Sequence, residues 1–109
     1  MVKYECVFIA RQDISSAQVE TLTGDISKII EEQSGKVAKS EQWGLRTLAY
    51  RINKQRKGYY VLIEFEMPAQ NLAELDRRMR LNEDILRHQT LKLEAFSEGP
   101  SVQFEKEAA

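Results

Sequence analysis

The sequence predicts an α+β sandwich in the order β-α-β-β-α-β, with a four-stranded antiparallel sheet and two helices on one face. Three observations predict it. Apolar residues alternate at period two in some segments and recur at helical spacing in others. The two halves look alike, with Tyr4-Glu-Cys-Val-Phe-Ile9 before one helix and Tyr60-Val-Leu-Ile-Glu-Phe65 before the other. Each helix carries one apolar stripe, so both must cover the same sheet face. Two βαβ halves joined by a hairpin make the split βαβ, ferredoxin-like arrangement. The opposite sheet face is left to solvent or to a partner.

The first strand spans Tyr4 to Ile9. Tyr4, Cys6 and Phe8 share one side, and Glu5, Val7 and Ile9 share the other. The glutamate marks the second side as the outer one. The first helix opens with a capping box, Ser15 as the cap and Gln18 three residues on. Ile14 and Val19 make the matching staple. Val19, Leu22, Ile26, Ile29 and Ile30 form the apolar stripe, and Gly35 is expected to supply the left-handed residue that ends the helix. Gly24 inside it costs about 1 kcal/mol relative to alanine.

Val37 to Ile52 reads as a long strand interrupted near Trp43-Gly44, followed by a turn at Lys54-Gln-Arg-Lys-Gly58. In the third strand Tyr59, Val61, Ile63 and Phe65 alternate with Tyr60, Leu62 and Glu64. Pro68 breaks it. A second helix is expected from about Ala69 to Leu81, with Leu72, Leu75 and Met79 inward and Asn82 as its C-cap. The last strand is expected from about Ile85 to Phe96. This places a ferredoxin-like domain at residues 1–96 and a flexible acidic tail at 97–109, which holds three glutamates and one lysine.

Among 109 residues, 16 are Lys or Arg and 17 are Asp or Glu, for a formal charge of −1. That balance disfavours a protein that coats nucleic acid indiscriminately. The longest uncharged apolar runs are a handful of residues, and Met1-Val-Lys-Tyr-Glu5 is no signal peptide, so a cytoplasmic location is expected. One cysteine rules out an internal disulfide, and one histidine argues against a His-rich metal site.

Catalytic readings are weak. Cys6 falls in the inward alternation and reads as a small core residue. His88 has no Ser, Cys or paired carboxylate at a telling spacing and reads as a surface histidine. A phosphate-handling enzyme of this fold wants a backbone cradle after the first strand. Here that connection, Arg11-Gln-Asp-Ile-Ser15, has no glycine. No enzyme activity, cofactor, metal or small-molecule substrate is expected.

The basic residues say more. From Gln42 to Ile63 stand Arg46, Arg51, Lys54, Arg56 and Lys57, with no acid. Against the total of −1, the rest of the chain carries −6. The bland reading is a charged hairpin that deters edge pairing. The sharper one is a phosphate-contact surface, with basic stems interleaved with Trp43, Tyr50 and Tyr59. In the second helix Glu74–Arg78 and Asp76–Arg80 are helix-spaced pairs, which explains two of its three arginines without a ligand. Arg87 and Lys92, five apart on one strand, project to opposite faces. Lys57-Gly58-Tyr59 fits the opening of the RNA-recognition-motif signature, but Val61 and Glu64 stand where its stacking aromatics belong. Val7, Ile9, Tyr60 and Leu62 instead make an outward apolar patch suited to a protein partner.

The run Trp43-Gly-Leu-Arg-Thr-Leu-Ala-Tyr-Arg-Ile-Asn-Lys54 resembles the signature of the bacterial small-subunit ribosomal protein S-six family. Tyr4-Glu5, Gly58-Tyr59 and Arg80-Leu-Asn-Glu-Asp-Ile-Leu-Arg87 also resemble that family, and the likeness covers about residues 3–95. Thr47 stands where a longer polar or basic residue is more common, and Arg51 where proline is common. The resemblance implies a structural constituent of the small ribosomal subunit that binds the central domain of its ribosomal RNA. It implies a heterodimer with ribosomal protein S-eighteen in the subunit platform. Carried to matching positions, Arg46 and Lys54 are the first RNA contacts, then Arg87 and Lys92, then Arg80. The competing reading is a regulatory domain that dimerises through its open sheet face and touches no RNA.

Overall fold

The computed structural model describes residues 1–52 and 55–95, with side chains described throughout these except at 49–52 and 55. The elements follow in the expected order: β1 (Val2–Arg11), α1 (Ser16–Glu32), β2 (Lys36–Ile52), β3 (Gln55–Met67), α2 (Leu72–Leu81) and β4 (Ile85–Leu93). They form one antiparallel sheet in the order β2-β3-β1-β4. No described helix is long and apolar enough to cross a membrane.

Helix α1 starts as its sequence dictates. The Gln18 N–H donates to Ser15 Oγ at 3.1 Å, and the Ser15 N–H donates to Gln18 Oε1 at 2.8 Å. Its end differs from expectation. The left-handed residue is Ser34, with φ of 64°, and Gly35 follows it. The Gly35 N–H reaches the Ile30 carbonyl at 2.8 Å and the Ser34 N–H reaches that of Glu31 at 3.1 Å, a Schellman closure. Gly35 is needed for space. A Cβ there would lie 2.7 Å from the Glu66 carbonyl oxygen and 2.8 Å from Ile30 Cγ2.

Pro68 ends β3, and Ala69–Asn71 form a 3-10 turn before α2 begins at Leu72, so the helix starts three residues later than expected. Asn82 is the C-cap. Strand β4 ends at Leu93 rather than Phe96, and Phe96 with the acidic tail lies outside the described residues.

Both helices pack on one sheet face. Phe8, Ile30, Val61, Ile63, Phe65 and Met67 are fully buried there, joined by Tyr4, Cys6, Leu75 and Met79. Apolar contact on this scale is the main stabilising term of the fold. Cys6 is a core residue: burial pushes its thiol up to about 12, which leaves it unreactive. His88 is half-buried rather than on the open surface. Its Nε2 lies 2.6 Å from Asp76 Oδ1, which ties β4 to α2.

The outer face departs most from expectation. Val7, Ile9, Tyr60 and Leu62 are between 0 and 5% exposed in the single chain. Trp43, Leu48 and Leu86 pack against them. The face is therefore covered by its own chain, and those four side chains do not form an exposed partner patch. The cause is local irregularity in the strands. A bulge between Gln42 and Gly44, with Gly44 at φ of 78°, resets the alternation so that Leu48 falls on the outer face, while Trp43 stacks on the Tyr60 ring, 6.3 Å between centroids. A second shift at Ile9/Ala10 leaves Leu86 as the extra residue of β4.

Candidate nucleic-acid interface

The basic hairpin is longer than its sequence suggests. Residues 55–58, expected in the turn, belong to β3: Gly58 pairs with Arg46, Lys57 with Thr47, and Gln55 with Ile52. The strand β1 pairs with β3 only as far as Arg11↔Gly58. Beyond that level β2 and β3 continue as a two-stranded ribbon past the end of the sheet. Arg56 and Lys57 are exposed on it. Lys54 lies outside the described residues, and the Arg51 side chain is not among those described.

Register decides which predicted residues come together. Arg46 stands opposite Gly58 and Arg87 opposite Ile9, so both project from the outer face at the hairpin end of the sheet. They lie on strands separated by three interstrand spacings, about 14 Å. That is a span over which cations can meet separate phosphates of one RNA. Lys92 stands opposite Tyr4, on the helix side and at the far end of the sheet. It does not join the other two. Arg80 is on α2 and holds Asp76 Oδ2 at 3.0 Å, so its first partner is internal.

The Arg46 side chain is half-buried, and its Nε donates to the Trp43 carbonyl at 3.2 Å, across the bulge. The cation is thus positioned by the Trp43-Gly44 irregularity. The base of the ribbon has a second tie that the sequence does not announce. The Lys57 N–H donates to Gln12 Oε1 at 3.0 Å, although the residues are 45 apart. A single glutamine in a connecting loop carries no pattern that could signal this.

The two ends of the outer face differ in charge. At the hairpin end the register neighbours of Arg46 and Arg87 are uncharged. At the other end Lys3 and Lys36 both stand opposite Glu66, and Glu5 stands opposite Glu64. Glu64 is fully buried, and Lys39 Nζ lies 3.6 Å from its Oε2 and 3.2 Å from Glu41 Oε2. On α2 the arginines are absorbed: Glu74 holds Arg77 at 2.7 Å and Arg78 at 2.8 Å, and Arg78 also reaches Glu32 at 3.1 Å. The hydrogen bonds from Arg77 and Arg78 lower the Glu74 carboxyl to about 2.

Comparison with known proteins agrees with this architecture. The family model described as Ribosomal protein S6 matches residues 3–92. The small ribosomal subunit protein bS6 of Paramagnetospirillum magneticum is 51% identical over 108 residues, covering 99% of this chain and 75% of that one. That of Zymomonas mobilis is 52% identical over 102 residues, covering 94% and 82%. The crystal structure of 30S ribosomal protein S6 from Thermotoga maritima superposes with a TM-score of 0.80 at 35% identity, covering 96% of this chain and 92% of that one. Family model, relatives and fold coincide over nearly the whole length, and the chain belongs to the ribosomal protein S6 family, non-enzymatic structural components of the small ribosomal subunit.

Proposed function

We propose that this chain binds the central domain of small-subunit ribosomal RNA through the hairpin end of its outer face, jointly with ribosomal protein S-eighteen. It does so in the cytoplasm, where the subunit assembles. The observation that carries the reading is the basic ribbon projecting past β1, with Arg56 and Lys57 on it, Arg46 at its base and Arg87 on the same side of the sheet as Arg46. Lys54 belongs to the same set by family resemblance. Lys92 and Arg80 are secondary contacts, the first from the opposite face and the second only by releasing Asp76.

A chain of charge −1 has little general attraction for RNA, since affinity grows with the number of phosphates neutralised. It binds weakly alone and firmly once a basic partner adds its own charges, a gain in valency without new chemistry. Because Val7, Ile9, Tyr60 and Leu62 are covered, the partner meets the residues above and beside them, among which are Trp43, Leu86 and Leu91. Leu91 is 40% exposed on that face.

The test is a salt titration of RNA binding by the heterodimer, with a central-domain RNA fragment as ligand. The double substitution Arg46→Ala, Lys54→Ala is expected to weaken binding. It is also expected to reduce the slope of log affinity on log salt by about one for each phosphate no longer neutralised. Folding is expected to stay intact. An unchanged slope would mean these residues do not contact phosphates.

A further inference from the structure

We infer that the basic ribbon is held at one fixed angle by a built joint, and that Leu48 and Gln12 are its positioning residues for RNA. This rests on the RNA-binding reading above. An isolated two-stranded ribbon is marginal in water, so one that leaves the sheet unsupported would swing. This one is tied on both sides. On the outer side Leu48, beyond the last pairing level of β1, turns back to pack on Val7, Ile9, Tyr60 and Leu62 and is 8% exposed. On the loop side the Lys57 N–H is held by Gln12 Oε1 at 3.0 Å.

Between these ties β3 passes tightly over β1 at Gly58. A Cβ there would overlap Ile9 Cγ2, sit 3.1 Å from the Ala10 carbonyl oxygen and touch Leu48 Cδ2 at 3.6 Å. The glycine lets the strands close until Leu48 seats. The Arg46 Nε bond to the Trp43 carbonyl fixes the last cation before the ribbon in the same frame. The cations are therefore arranged before RNA arrives, and binding does not bear the entropy of ordering them.

The joint makes a prediction that a merely structural role does not. In Gln12→Ala and Leu48→Ala, amide exchange at residues 45–48 and 56–58 of the free protein is expected to speed about tenfold, with exchange at residues 61–65 unchanged. Affinity of the heterodimer for the central-domain RNA fragment is expected to fall several-fold at an unchanged salt slope, because the same phosphates are met once the ribbon is ordered. Gln12 is exposed, so its substitution leaves the core intact if Leu48→Ala proves too damaging. Gln12→Glu keeps the acceptor and is expected to restore slow exchange. Unchanged exchange in Gln12→Ala would overturn the joint, and so would faster exchange with unaltered affinity. Equal RNA affinity for wild type and Arg46→Ala, Lys54→Ala would instead sink the RNA reading and leave the exchange result standing.

Discussion

The two faces of the sheet are covered by different means. The inner face lies under two helices, α1 with its capping box and α2 with its ion pairs, and buries a continuous set from Tyr4 to Met79. The outer face is covered by its own hairpin and an edge strand, through Trp43, Leu48 and Leu86. It also buries Glu64 beside Lys39. A helix is a cover that can be strengthened away from the sheet. The hairpin is both cover and binding element, so changes to the one reach the other.

Core substitutions separate the faces most sharply. Phe65→Ala on the inner face is expected to destabilise by about 3–5 kcal/mol, and Leu48→Ala on the outer face by about 2 kcal/mol, the low end for such truncations. Leu48 sits where the ribbon can collapse around the void. Urea unfolding of both variants gives the comparison, and equal destabilisation would show that the outer cover is as firmly built as the inner one.

The helix side is expected to accept improvement. Gly24 is exposed on α1, and a Cβ there meets nothing within 4 Å. Gly24→Ala is expected to stabilise by about 0.5–1 kcal/mol, read as a raised thermal midpoint with RNA affinity unchanged. The corresponding change on the outer side, Gly58→Ala, is expected to lower both.

The smallest effect is electrostatic. Glu74 has a folded-state pKa near 2, below its unfolded value of 4.5. Its contribution is therefore present above pH 4.5 and is lost as pH falls through about 2. In Glu74→Gln the fall in stability between those limits is expected to be shallower, seen in urea midpoints at several pH values. Because the group is only partly buried, salt is expected to flatten the difference.

The inner face was legible in the sequence and the outer one was not. Alternation and helical spacing put Tyr4, Cys6, Phe8, Leu75 and Met79 inward, and all are buried there. The Ser15 capping box was equally plain, because its partners are three residues apart. The left-handed residue came one position before Gly35, since a Schellman turn accepts Ser34 there while Gly35 answers a steric demand from Glu66. The outer cover was hidden because bulges reset parity: strict alternation past Gln42 would put Leu45 and Thr47, not Arg46 and Leu48, on the outer face. The ribbon's length was hidden by composition, since Gln55-Arg-Lys-Gly58 looks like a turn and pairs as a strand. At the candidate interface, the charge segregation was legible, and so was the opposition of Arg87 and Lys92. The Gln12 tie was not, because nothing local records a hydrogen bond across 45 residues.

The strand order has a consequence for the newly made chain. Strand β1 is synthesised first, yet it lies inside the sheet, between β3 and β4. Its register partners run from Gly58 to Met67 on one side and from Ile85 to Leu93 on the other. During translation this apolar segment emerges early and waits for both neighbours, with the loop-closure cost of distant pairing still unmet. Only when residue 93 has cleared the exit tunnel can the sheet close. The interval before that is when the growing protein is most exposed to mispairing.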